Sequence, residues 1–338
     1  MIRPILLSIL GAACAGAQPP KIGDLNFYGL RRQSADRLLK AIGLEPGGVL
    51  PPSKGDLEEK LEAVPGIVSA RIEAVCCEGA AVTVFIGIEE RGGPHFETRS
   101  APSGSAVLPE DLVGDYREFL SAVERAARRG AAAEDFTAGE ARTADPAVRV
   151  FEERFAAFAA EKPDLLRDVL RNGAEPEQRA VAASVIGYAP RKDQALNDLQ
   201  YALQDSDESV RANTVRSLKA IAVLAQKRPE LGLKVSPTWF VEMLNSLVLS
   251  DKQQASEALV ILTNQPNPGA LDLVRDRALP ALVEMARWKT LRYALPAFLL
   301  VGRIAEIPDA DLHALWQKGD RESAIKKAAM APPPKSRK

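Results

Sequence analysis

The chain is poor in the side chains that most catalytic and metal sites use. Its 338 residues include three cysteines and two histidines. Neither His95 nor His313 has a partner at the spacing of a zinc site. The sequence contains no G-x-S-x-G nucleophile motif, and "PGGV" at 46–49 lacks the other glycine and the lysine of a phosphate loop. We therefore expect no catalytic residue, no metal site and no cofactor.

Aromatic residues are also scarce, and positive and negative charges nearly cancel. Aromatics make up 5% of the chain and the net charge is -1. Because no overall positive field is present, we expect no nucleic-acid partner. The C-terminal end differs, since 318–338 holds seven Lys/Arg against two Asp/Glu. We predict a basic, partly disordered tail over 319–338, and the sequence does not decide whether it touches membrane or cell wall.

Two of the three cysteines, Cys76 and Cys77, are adjacent. Reactive pairs of the thioredoxin type have two residues between the thiols and lie at a helix N-terminus. In a strand, adjacent side chains point to opposite faces, and their Cα atoms are about 3.8 Å apart, which is short for a disulfide. The spacing argues against redox catalysis. It leaves open a strained vicinal disulfide or a bond to another chain.

The first residues, "MIRPILLSILGAACAGAQPP", have the layout of a secretory signal peptide. Arg3 precedes a short apolar run, and Ala15-Gly16-Ala17 suits cleavage before Gln18. The run is too short to span a bilayer, which needs about 20 residues. We predict a signal peptide over 1–17, export to the periplasm or beyond, and no later transmembrane segment. A lipoprotein anchored at Cys14 is a weaker alternative, because Leu10 lies one position too far from it.

Residues 21–91 predict a small domain with the order β-α-α-β-β. "IGDLNFYG" suits a short strand, and helical periodicity with Ser34 and Ser53 as caps predicts two helices. Two alternating segments then form a hairpin, with its turn at 78–80. On the first of its strands, Ala70, Ile72 and Ala74 should face the helices, while Ser69, Arg71, Glu73 and Val75 should face outward.

The rest of the chain predicts a linker followed by helices. Residues 92–108 are rich in Gly, Pro and Ser, which is typical of a flexible linker. Residues 109–318 show helical periodicity, and two segments repeat at an offset of 32, which aligns Arg179 with Arg211. Recurring helix pairs predict an α-solenoid, because one pair cannot cover its own apolar face. Trp239, Trp288 and Trp316 are expected in its core.

Both halves resemble known families. Residues 22–90, with "LEPGGVL" and "LEAVPGIVSARIEA", resemble a POTRA (polypeptide-transport-associated) domain. That resemblance implies a periplasmic domain whose hairpin strand lies at a sheet edge open to a partner strand, although no β-barrel pattern follows. The second half is similar to HEAT repeats. "DSDESVRANTVRSLKAIA" carries their second-helix pattern, and the resemblance implies structural roles for five residues: Arg179, Asp205, Val210, Arg211 and Leu218.

The sequence therefore predicts a POTRA-like α+β domain followed by an all-α HEAT-like solenoid. We interpret the chain as an exported, non-catalytic adaptor of envelope protein assembly. It would capture an extended polypeptide on the edge strand through Ser69, Arg71, Glu73 and Val75, and a second protein on the solenoid. Two alternatives remain: an exported lyase-like enzyme with a carboxylate site in the solenoid groove, and a purely structural envelope component. The sequence does not identify the partner or the oligomeric state.

Overall fold

The structure is a computed structural model that describes residues 20–78 and 81–330. The predicted signal peptide, the hairpin tip at 79–80 and the end of the basic tail lie outside the described residues. The side chains of Cys77 and Glu78 also lie outside them.

The N-terminal domain consists of two helices against a three-stranded sheet. The order of its elements, β-α-α-β-β, is the order expected from the sequence. Ser53 caps the second helix by accepting a hydrogen bond from the Asp56 amide at 3.2 Å, whereas the side chain of Ser34 makes no such bond to the first helix. The elements are β1 (Lys21–Tyr28), α1 (Ala35–Ile42), α2 (Lys54–Glu62), β2 (Ile67–Glu78) and β3 (Ala81–Glu90).

The sheet has the order β1-β3-β2, with β1 parallel and β2 antiparallel to the central strand. One face of the sheet packs on α1 and α2. Ala70 and Ile72 of β2 lie on this face, buried beside Leu57 and Leu61 of α2. Because side chains alternate along a strand, Arg71, Glu73 and Val75 lie on the other face.

The second domain consists of consecutive helix pairs. The second helices of the pairs pack side by side in a row, as in an α-solenoid. The helices are α3 (Glu110–Arg128), α4 (Pro146–Glu161), α5 (Pro163–Asn172), α6 (Pro176–Val185), α7 (Lys192–Ala202), α8 (Glu208–Lys227), α9 (Thr238–Met243), α10 (Leu249–Leu262), α11 (Pro268–Ala286), α12 (Leu291–Ile304), α13 (Asp309–Gln317) and α14 (Arg321–Met330).

Two segments of the second half differ from the sequence prediction. Between α3 and α4 a short hairpin, β4 (Glu134–Asp135) and β5 (Arg142–Thr143), interrupts the expected all-helical region. The hairpin packs on α8, where Gly139 lies so close to Leu224 that a side chain at 139 would collide with it. At the other end, α14 falls within the predicted tail and buries Ala324, Ile325 and Ala328. The composition of these two segments does not show what they pack against, so the sequence did not predict the hairpin or α14.

The second face of the N-terminal sheet is covered by the solenoid. Phe85 of β3 packs edge-on against Trp288 with ring centroids 5.0 Å apart, and Tyr28 of β1 lies 5.9 Å from the same ring. The Tyr28 hydroxyl donates to the Leu247 carbonyl at 2.6 Å. Trp288 lies between α11 and α12, so β1 and β3 rest on the turns that precede the second helices. Helices therefore cover one face of the sheet, and the solenoid covers the other.

The connection between the domains is bound to the solenoid, in contrast to the predicted flexible linker. The Gly104 amide donates to the Asn172 carbonyl at 2.8 Å, and the Arg99 amide donates to the Gln204 carbonyl at 2.8 Å. The Arg99 guanidinium lies 3.4 Å above the Tyr201 ring. A Cβ at position 104 would lie 2.5 Å from the Asn172 oxygen. Here glycine permits close backbone approach rather than flexibility.

Within the part of the chain that the structure describes, no helix is both long and apolar enough to cross a bilayer.

Candidate protein-interaction surface

The four side chains predicted to contact a partner are not equivalent in the structure. Arg71 donates to Glu208 at the start of α8 at 2.7 Å and to Glu73 at 3.0 Å. Glu73 also accepts the Leu249 amide at the start of α10 at 2.9 Å. Val75 packs against the solenoid core. Arg71, Glu73 and Val75 therefore bind the chain's own second domain, which corrects their predicted role as outward contacts.

Ser69, the fourth predicted contact, lies at the start of the same strand and donates to Glu62 at 3.3 Å. Its neighbour Val68 is 53% exposed, so the beginning of β2 is accessible, and Cys76 near the other end of the strand is exposed as well.

The outer edge of β2 is partly occupied by α2. The Ala70 amide donates to the Glu62 carboxylate at 3.0 Å, and the Ile72 amide donates to the Glu58 carboxylate at 2.6 Å. Since amides alternate in direction along a strand, the amides of Arg71 and Glu73 point instead to β3. The expected open row of amides is thus closed at two positions by the chain's own helix.

The row of α2 carboxylates along the β2 edge ends at Glu58, one helical turn after the start of α2. Positions four residues apart lie on the same face of a helix, so Glu62, Glu58 and Lys54 share the face of α2 that follows β2. A lysine ammonium carries no acceptor. Ala74, the next residue of β2 with an outward amide, therefore has no matching carboxylate on α2.

A small cavity lies where β1, β3, α10 and α11 meet. Its volume is about 30 Å³, enough for one or two water molecules. Lys252 is buried there, with its ammonium donating to the Leu244 carbonyl and lying 5.1 Å from the centre of the Tyr28 ring. Across the cavity, Glu284 accepts the Gly29 amide at 2.9 Å.

Burial shifts the pKa of two of the ionisable groups that line this cavity, Lys252 and Glu284. Loss of hydration lowers the pKa of Lys252 to about 8, although the nearby Glu284 and Asp251 oppose the shift. Burial also raises the pKa of Glu284, against the opposing effect of the Gly29 amide. Tyr28 and Gly29 belong to the sheet, while Lys252 and Glu284 belong to the solenoid, so this cluster joins the two domains.

Buried arginine–aspartate pairs join successive helix pairs of the solenoid. Arg179 on α6 donates to both carboxylate oxygens of Asp205, at 2.8 and 2.9 Å, and to the carbonyls of Gly173 and Ala174. Arg211 on α8 repeats the pattern with Asp251, and with the carbonyls of Asp205 and Ser206. Each guanidinium thus binds a turn of its own pair and an acid of the next.

The other two motif residues pack in the core, where Val210 and Leu218 are fully buried. Residues 163–233 match the family model for HEAT repeats. HEAT repeats suggest a protein-interaction scaffold. The match covers the segment that contains Arg179, Asp205 and Arg211, whereas the later helix pairs and the N-terminal domain lie outside it.

Two other comparisons add little to the HEAT match. No curated protein matches the chain significantly. A crystal structure of an engineered protein resembles it with 15% identity and a TM-score of 0.36, over 65% of this chain and 95% of that one. Similarity at this level carries no argument about fold or function.

The carboxyl groups of raised pKa do not converge on one site. Burial raises the pKa of Glu152 on α4, which accepts hydrogen bonds from Thr143, and of Glu284 on α11, which accepts one from Gly29. Each acid thus holds a different turn of the backbone. In residues 20–78 and 81–330, no group of three or more His, Cys, Asp or Glu side chains could hold a metal ion.

Cys76 takes part in a disulfide bond, one of the states that the sequence left open.

Sequence reasoning missed the acids that complete these contacts. Glu58 and Glu62 are four residues apart on α2, a spacing that places both on one face of the helix but does not show that this face follows β2. Asp198, almost fully buried, accepts from Arg167 and Arg171 at 2.6 Å each. No local pattern distinguishes Asp198 or Asp251 from exposed acids.

Proposed function

We propose that this protein is an exported, non-catalytic adaptor that binds other proteins in the cell envelope. The observation that carries the proposal is the combination of a HEAT segment with a docked sheet whose β2 edge is occupied by α2 at Ala70 and Ile72 but not at Ala74. Such repeats offer extended surfaces to protein partners. The signal-like N-terminus supports export, and the Cys76 disulfide is the state favoured by an oxidising compartment.

The adaptor has two binding surfaces in this proposal. An extended polypeptide pairs with the outer edge of β2, where main-chain hydrogen bonds give affinity. A second, folded protein binds the solenoid on the side of the first helices, such as α5 and α7, because the second helices α6, α8 and α10 are almost entirely covered by their neighbours. The buried Arg179–Asp205 and Arg211–Asp251 pairs fix the spacing of successive helix pairs, so the solenoid surface keeps one shape. A POTRA-like role in envelope protein assembly fits the order of elements in the N-terminal domain.

Photo-crosslinking in cells tests the proposal. A photoreactive amino acid at position 68 replaces the exposed Val68 beside the edge, and one at position 150 replaces Val150, which is 47% exposed on α4. We expect position 68 to yield an adduct with one envelope protein that position 150 does not yield. The additional change Ala74→Pro removes an outward amide without touching the β2–β3 ladder, and it should abolish the adduct.

The same experiment can contradict the proposal. Matching adduct patterns from positions 68 and 150 would show that the edge selects no partner. An adduct that survives Ala74→Pro would show that the partner does not pair with the strand. Adducts with cytoplasmic proteins alone would contradict export.

A further inference from the structure

The strongest unassigned feature is the pair of carboxylates on the outer edge of β2. Glu58 and Glu62 stand four residues apart on α2, about 6 Å along the helix axis. Ala70 and Ile72 stand two residues apart on β2, about 7 Å along the strand. The two spacings match, so each carboxylate reaches one amide, at 2.6 and 3.0 Å. These oxygens lie where the carbonyl oxygens of an added strand would accept the same hydrogen bonds.

We infer that the outer edge of β2 binds an extended polypeptide rich in lysine or arginine, whose carbonyls replace the Glu58 and Glu62 carboxylates on the Ala70 and Ile72 amides. This inference rests on the proposed function and specifies its ligand class. Displaced from the amides, the two carboxylates become free to pair with cations on the incoming chain. The exchange therefore replaces two charged acceptors with neutral carbonyls and adds two ion pairs.

The charge around this edge selects the ligand. Glu58 and Glu62 accept hydrogen bonds from β2 amides on the side of α2. Arg71 lies on the other face of the strand, where Glu73 and Glu208 hold it, so among the described residues no cation is paired with Glu58 or Glu62. A basic strand supplies such cations, whereas a second copy of β2 would bring the same two acids against their own kind. The charge argument favours a basic polypeptide over a second copy.

The end of the carboxylate row provides a place for pairing to begin. Ala74 has an outward amide beyond the reach of Glu58, and Lys54 supplies no acceptor there. A strand can first pair at Ala74 and then displace the carboxylates from Ile72 and Ala70 in turn. The free protein meanwhile does not present a long uncovered edge, which is a known aggregation hazard.

The test measures binding of two synthetic peptides to the full chain by fluorescence anisotropy. One peptide alternates valine with lysine, and the other alternates valine with glutamate. We expect the wild type to bind the lysine peptide at least tenfold more tightly, which corresponds to about 1.4 kcal/mol. The preference should shrink as salt is added, because exposed ion pairs are screened.

Three variants test which residues of the edge cause the preference for the lysine peptide. Glu58→Gln with Glu62→Gln keeps an acceptor oxygen at each amide but removes the charge, so it should lose the preference for lysine. Glu59→Gln is the matched control, since Glu59 is exposed and the outward amides of Ala70 and Ile72 donate to Glu62 and Glu58 instead. Ala74→Pro should weaken binding of the lysine peptide about tenfold, the loss of roughly one hydrogen bond at the starting position.

Each remaining outcome counts against the inference. Equal binding of the two peptides, or a preference that survives the double glutamine change, would exclude the carboxylates as the selecting groups. Self-association of a Glu58→Ala, Glu62→Ala double variant without peptide binding would show that the carboxylates only protect the edge from a second copy. If peptide selection fails while position 68 still yields its adduct in cells, the proposed function stands and the ligand class is wrong.

Discussion

Replacing Arg211 with methionine is expected to lower the free energy of unfolding by about 3–5 kcal/mol, because Asp251 would remain buried and uncompensated. Both side chains are almost fully buried, at 3% and 1% exposure. The carbonyls of Asp205 and Ser206 would also lose the donor that they share. For a chain of this size the loss corresponds to a fall in Tm of roughly 6–20 °C, measured by circular dichroism.

Two comparisons separate the charge effect from simple loss of packing. Arg117→Met removes a bidentate pair with Glu177 of the same kind, but that pair is exposed. We expect little change in Tm from it. Adding Asp251→Leu to Arg211→Met removes the stranded charge and should restore much of the lost stability. A double variant no more stable than Arg211→Met would show that the pair does not act through charge compensation.

Replacing Trp288 with alanine is expected to detach the N-terminal sheet from the solenoid. The indole is 2% exposed and packs against Phe85 and Tyr28 of the sheet. Removing a buried tryptophan costs about 3–5 kcal/mol. The rest of this interface combines Phe85, packed against Tyr293 with ring centroids 5.5 Å apart, and polar contacts such as the exposed Lys289–Asp24 pair. Limited proteolysis should therefore cut the connecting segment, for example after Arg99, much faster in this variant.

Trp316→Ala is the matched control for this change. Trp316 packs against Phe298 within the last helix pairs, with the rings tilted and their centroids 5.1 Å apart. Its replacement should lower Tm without speeding cleavage of the connecting segment. Equal acceleration in both variants would mean that general destabilisation, and not loss of docking, exposes the segment.

Local patterns in the sequence account for the elements but not for the way they meet. Alternation along 67–90 and the periodicity of "SKGDLEEKLEA" are enough to place β2, β3 and α2, because strands and helices are decided by nearby residues. The repeat offset likewise aligns Arg179 with Arg211. The partner of Arg211 could not be predicted this way, since Asp251 lies 40 positions downstream in a helix pair that no longer follows the repeat.

The face of β2 opposite the helices shows the limit most clearly. The alternation of apolar and polar residues along β2 correctly places Ile72 and Arg71 on opposite faces, because side chains point to alternate faces of a strand and α1 and α2 bury one of these faces. It says nothing about what covers the other face. Arg71 and Glu73 read as solvent-facing charges, yet they bind the start of α8 and the start of α10. Contacts between domains depend on packing over long sequence separations, which leaves no periodic signal.

The sheet is docked on the solenoid through one face, and we propose that the edge of β2 is the part of the sheet that binds a partner. Scanning calorimetry of the full wild-type chain, with Trp288→Ala beside it, tests the docking most directly. Docked domains should unfold together, so we predict one transition for the wild type and two separate transitions for the variant. Two transitions in the wild type, unchanged by Trp288→Ala, would contradict the docking.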